Sequence, residues 1–70
     1  MKLGEPALLP LFEALKEQNK NVRRKAVETL NKFGDARAIA PLTSVIYDQD
    51  PNIGYAARNA IESIRNRNLL

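Results

Sequence analysis

The chain has 70 residues, enough for one small domain whose core leaves much of the surface exposed. It contains neither Cys nor His, which excludes disulfides, thiolate metal sites and imidazole general bases. The 44% apolar and 27% charged content is that of a globular chain rather than a disordered one, and a net charge of +3 falls short of a nucleic-acid signature.

The segment Met1-Lys2-Leu3-Gly4-Glu5-Pro6 leads into no continuous apolar stretch, because Pro6, Pro10 and Glu13 interrupt it. That argues against a signal peptide, and no run approaches the roughly 20 apolar residues of a membrane-spanning helix. A soluble, cytoplasmic protein with no membrane contact is the expectation. The first helix is predicted over residues 6–17, with Leu8, Leu11, Phe12 and Leu15 on one face. Pro10 removes one backbone hydrogen bond and predicts an irregular first turn. The second helix is predicted over 22–33, with Val22, Ala26, Val27, Leu30 and Phe33 inward. Asn21 is its expected N-cap and Gly34 its left-handed terminator.

The third helix is predicted over 36–48 behind the cap Asp35, burying Ile39, Leu42, Val45 and Ile46. Asp48-Gln49-Asp50-Pro51-Asn52 is turn chemistry. Asn52 is the expected cap of a fourth helix over 53–65, which buries Ile53, Ala57, Ala60, Ile61 and Ile64. Short connections make consecutive helices antiparallel neighbours. Ala26, Ala57 and Ala60 allow close helix approach.

The chain repeats itself. When Ala7 is laid on Ala38, Pro10 meets Pro41, Leu11 meets Leu42, Gln18 meets Gln49, Asn21 meets Asn52 and Ala26 meets Ala57. Conservative pairs fill the intervals, among them Leu15 with Ile46, Glu17 with Asp48, Val22 with Ile53 and Leu30 with Ile61. The expectation is an all-α chain of four helices in two hairpins, one domain over residues 1–70.

The stretch Val22-Arg23-Arg24-Lys25-Ala26-Val27-Glu28-Thr29-Leu30, followed by Phe33-Gly34-Asp35-Ala36-Arg37-Ala38-Ile39-Ala40-Pro41-Leu42, resembles a HEAT repeat. More narrowly it is similar to the short HEAT-like repeat named after phycobilisome lyases. The resemblance implies an α-α superhelix, here a HEAT-like solenoid fragment. The helices of Val22 and Ile53 would form its convex outer layer. Those of Pro10 and Pro41 would form its concave inner layer, the usual binding surface. In such repeats an Arg after the first apolar residue of the outer helix forms a ladder with acidic turn residues of neighbouring units. Arg23 matches that pattern and Gly54 does not, although a glycine in the first helical turn is expected to cost little. Leu3-Gly4-Glu5 matches Phe33-Gly34-Asp35, so half-repeats flank the centre. Solenoids usually need three or more units, so the chain is expected either to continue a longer array or to have its open ends, Leu69-Leu70 included, covered by a partner or a second copy.

Catalysis is not expected. Glu13 and Glu17 flank Lys16 on a solvated face, and Asp48, Asp50 and Asn52 lack the glycine and distal Glu of a calcium loop. Thr29, Thr43, Ser44 and Ser63 have no His to activate them, and there is no glycine-rich phosphate loop. No cofactor is expected. The metal-dependent hydroxylases of the wider HEAT-like group use His–Glu ligands this chain lacks, and the bilin-lyase activity of others is not carried over. Protein–protein interaction through the inner face is the leading expectation, with Glu13, Lys16, Thr43, Ser44 and Tyr47 as contacts. An alternative is phosphate or nucleic-acid binding by Lys20, Arg23, Arg24 and Lys25, crowded near Lys16 at a helix start where positive charge opposes the macrodipole. No aromatic platform accompanies that cluster. A third reading is a purely structural segment of a longer solenoid. Tyr55, Phe12 and Phe33 are expected to be structural.

Overall fold

The computed structural model describes the backbone of residues 4–69 and the side chains of residues 8–69. Helix α1 spans Gly4–Ala14, α2 Lys20–Phe33, α3 Ile39–Val45 and α4 Pro51–Arg67, with a 3-10 turn at Ala36–Ala38 ahead of α3. Among the described residues there is no strand. The fold is all-α, four helices in two hairpins, as the sequence pattern requires. The most extensive packing is α2 on α4, then α3 on α4 and α1 on α2. Thus α2 and α4 form one layer, and α1 and α3 line its other side.

The caps sit two residues earlier than the sequence reading placed them. Asn19 is extended (φ −73°, ψ 118°), and its side chain accepts the Asn21 N–H at 2.8 Å, so α2 begins at Lys20 and Asn21 lies inside the first turn. Asp50 does the same for Asn52 at 2.9 Å, and Pro51 takes the first helical position, where a missing N–H costs nothing. The fourth helix therefore starts at Pro51, not Ile53, and continues to Arg67. Asp35 accepts the Arg37 N–H at 2.9 Å, but only a 3-10 turn follows before α3 begins. α1 stays helical across Pro10 and ends at Ala14. Gly34, at φ 66°, donates to the Leu30 carbonyl at 3.1 Å and ends α2 in the left-handed conformation a Cβ would oppose.

One continuous core runs through both hairpins. Leu30, Leu42, Ile53, Ile64 and Val27 are its largest fully buried members, and Phe12 packs against its edge half-buried. Two residues expected inside are not. Val22 is 38% exposed and Phe33 54%, whereas the residues that match them in the second unit, Ile53 and Ile64, are buried. The first unit covers Ile53 and Ile64; among the described residues no unit covers Val22 and Phe33 in the same way.

Gly54 also departs from expectation. It is buried, and a Cβ there would lie 2.6 Å from the Ile46 carbonyl oxygen. Arg23 occupies the matching position of the first hairpin. The second hairpin is therefore closed against its own turn so tightly that a side chain does not fit, and Gly54 serves close helix approach rather than merely being tolerated.

Candidate functional site

Each hairpin turn projects from the end of its first helix, and the two turns lie side by side. A groove runs between them, lined by Leu15, Lys16, Gln18, Tyr47 and Gln49. Its floor is a clasp between the units. Arg23 reaches from the first turn of α2 to Asp48 in the second turn, Nε donating to Oδ2 at 2.6 Å and Nη2 to Oδ1 at 3.0 Å. Its Nη1 donates to the carbonyls of Glu17 at 2.7 Å and Gln18 at 2.8 Å. Asp48 Oδ1 also accepts the Asp50 N–H at 2.9 Å. Arg23 thereby uses four of the five donor positions a guanidinium has, and the pair is largely withdrawn from solvent.

The Arg23 hydrogen bonds hold the Asp48 carboxyl below the ordinary carboxylate range, more than desolvation raises it, with the Asp50 N–H assisting. The same contact raises the already high pKa of Arg23. Both charges persist at neutral pH. This is the Arg–acid contact that the resemblance implied for Arg23, and Gly54 leaves the second unit without a counterpart.

A second clasp joins the opposite ends of α2 and α4. Arg67 Nη2 donates to the backbone carbonyl and, at 2.7 Å, to the side-chain oxygen of Asn31. Asn68 Nδ2 donates to the carbonyls of Gly34 at 2.9 Å and Ile64 at 2.7 Å. Sequence reasoning missed these residues because it ended the helix at Arg65. The available signal was Asn68, a residue type that readily caps a helix end, following the basic Arg65 and Arg67.

The residues expected on the inner face are all exposed, but they do not form one site. Lys16 and Tyr47 come together in the groove. Both stand in the turns after α1 and α3 rather than within those helices. Tyr47 is 84% exposed, the most exposed of the large apolar side chains described. Glu13, Thr43 and Ser44 stand apart from the groove. The Thr43 hydroxyl donates to the Ile39 carbonyl and that of Ser44 to the Pro41 carbonyl, each at 2.8 Å, so toward a partner they offer acceptor lone pairs.

The basic residues also separate. Lys20 and Arg23 border a shallow depression that contains the Asp50 carboxylate with Gln18, Gln49 and Asn52. Arg24 donates to Asn21 Oδ1 at 3.1 Å. Lys25 faces elsewhere, into a mostly apolar groove with Leu11, Ala14, Val22 and Ala26. Positive charge is spread along the α2–α4 layer, where Arg58, Arg65 and Arg67 add to that of α2, rather than focused at the turn.

Among the described residues no group of three acidic side chains could hold a metal ion, and no helix is long and apolar enough to cross a membrane. A family model described as HEAT repeats matches residues 3–68. No curated protein and no solved structure matches the chain.

Proposed function

The chain belongs to the HEAT-repeat family, and from that premise we propose that it is a protein-interaction module whose contact surface centres on the groove between the two hairpin turns. HEAT repeats commonly act as scaffolds in protein–protein interaction. The observation that carries the reading here is Tyr47. It stands 84% exposed beside Lys16, on a groove whose floor the Arg23–Asp48 clasp holds in place. An exposed aromatic on a rigid base supplies contact area at little entropic cost, which is why Tyr is enriched where proteins meet. Glu13, Thr43 and Ser44 extend the surface along the α1–α3 side.

The unit is of the short type named after phycobilisome lyases, on the strength of the segment from Gly34 to Leu42. The function is non-enzymatic and cytoplasmic. Anion binding at Lys20, Arg23, Arg24 and Lys25 is the weaker reading, because the central guanidinium is committed to Asp48 and two carbonyls and Lys25 faces a different groove. A role as one segment of a longer solenoid is compatible with either surface.

The test is to select peptides against the immobilised protein from a random display library, then map the amide shifts of the labelled chain on adding the best binder. Shifts should cluster at 15–18 and 46–49. Tyr47→Ala and Lys16→Ala should each weaken binding while leaving helicity intact. Shifts confined to the α2–α4 layer, or unchanged affinity in both variants, would remove the groove as the contact surface.

A further inference from the structure

The repeat lets the internal junction be read residue by residue. A position buried in one unit and open in the other is a position the junction covers. On the first unit these are Leu8, Leu15 and Leu30, which are buried while their register partners Ile39, Ile46 and Ile61 are half-buried. On the second unit they are Leu42, Ile53 and Ile64, which are buried while Leu11 is half-buried and Val22 and Phe33 are exposed. The junction thus joins one kind of surface, the trailing face of a unit, to another, the leading face of the next. Both kinds recur, half-buried or exposed rather than covered by a neighbouring unit, on the outside of the pair. Leu11, Val22 and Phe33 make a leading face on the first unit, and Ile39, Ile46 and Ile61 make a trailing face on the second.

We propose that copies of this chain associate head to tail, the trailing face of one seated on the leading face of the next in the geometry of the internal junction. The occupant is a second copy because each apolar position on one face has its counterpart on the other, in the register the chain already uses. The apolar groove of Leu11, Ala14, Val22 and Ala26 lies on the leading face, where the second unit's Leu42, Val45, Ile53 and Ala57 are packed.

Two positions weaken this contact relative to the internal one. Arg58 stands where Val27 is buried at 1% exposure, so association must desolvate the stem and crowd the head of an arginine. Gly54 stands where Arg23 makes its clasp, so the new junction lacks that ion pair. Association is therefore weak and concentration-dependent. It is also open-ended, since a head-to-tail contact uses different surfaces on the two partners and does not close on itself. Tyr47 takes the place of Lys16 at the new junction and borders it, whereas Val22, Phe33 and Arg58 lie outside the Tyr47 groove, so variants at those three read the association apart from it.

Sedimentation of the full chain over a wide concentration range tests this. The weight-average mass should climb past that of two copies without a plateau. Arg58→Val, which restores the residue of the first unit, should move the curve to about tenfold lower concentration. Val22→Asp or Phe33→Ser, both at exposed positions that a folded monomer tolerates, should return the Arg58→Val protein to monomer with its helicity retained. A chain that stays monomeric throughout, with Arg58→Val monomeric as well, overturns the proposal. So does a mass that levels at two copies and ignores Val22→Asp, because that is a closed pairing through another surface.

Discussion

Replacing Gly54 by Ala sets two known effects against each other at one site. In an open helix the change would help, since Ala is favoured over Gly by about 1 kcal/mol. Here the added Cβ would stand 2.6 Å from the Ile46 carbonyl oxygen, against about 3.4 Å where ordinary contact begins, so one helix must retreat by about 0.8 Å. Neither side gives easily. The obstacle is backbone rather than the end of a flexible side chain, and the start of α4 is fixed by the Asp50 cap and Pro51. With backbone as the obstacle the cost falls in the upper part of the usual overpacking range, about 2–3 kcal/mol, so the helix gain of about 1 kcal/mol leaves a net loss of about 1–2 kcal/mol. In a domain this small each kcal/mol lowers Tm by about 4–8 °C. Thermal and urea melts followed by circular dichroism at neutral pH measure it. A Gly54→Ala protein as stable as the parent, or more so, would refute the reasoning. It would mean that the two helices part freely at this point and that the close approach holds nothing together.

The cap assignments separate residues only two positions apart. Asn19→Ala and Asp50→Ala should each cost about 1 kcal/mol, whereas Asn21→Ala and Asn52→Ala, which remove no capping oxygen, should cost much less, as urea melts of the four variants would show. Asp48 gives a pH signature. Its carboxyl is held below the unfolded value chiefly by the Arg23 hydrogen bonds, so in acid the unfolded chain binds a proton that the native chain refuses. The contribution is complete above the unfolded carboxylate pKa of about 3.9 and is lost as pH falls through the lower native value. Asp48→Asn should therefore be less stable than the parent at neutral pH yet lose less stability on acidification, in urea melts at about pH 6 and about pH 3. Parallel losses in the two proteins would show that the clasp does not govern the acid response.

The hairpins were legible in the sequence because the repeat aligned prolines, turn residues and apolar stripes in one register. What periodicity could not show was on which side of a unit a neighbour lies. Val22 and Ile53 carry the same helical signal, as do Phe33 and Ile64, yet only the second of each pair is covered, since burial in a stacked fold depends on the adjoining unit as much as on the helix itself. The caps were misplaced because Asn19-Lys20-Asn21 and Asp50-Pro51-Asn52 each offer two capping residues. The oxygen that reaches the free N–H groups belongs to the earlier one. Gly54 was unreadable for a related reason: the atom it makes room for belongs to another helix's end. The outward placement of Lys16 and Tyr47 was legible because the two share one register position in the repeat. The commitment of Arg23 to three separate acceptor residues was only half visible, since sequence implies the acidic partner but not the two turn carbonyls.

The two clasps grip neighbouring helices near both ends, Arg23 to Asp48 at one and Arg67 with Asn68 to Asn31 and Gly34 at the other. Two helices fixed at two separated points can neither slide nor swivel past one another, and in a stacked array that relative rotation is what sets the pitch. Lys16 and Tyr47, one on each unit at the same register, are therefore held as the two marks of a ruler. On the contact surface proposed above, a ligand bridging them would meet a spacing already cut before it arrives, and the ordering that a looser pair of hairpins would still have to undergo on binding would already be complete in folding.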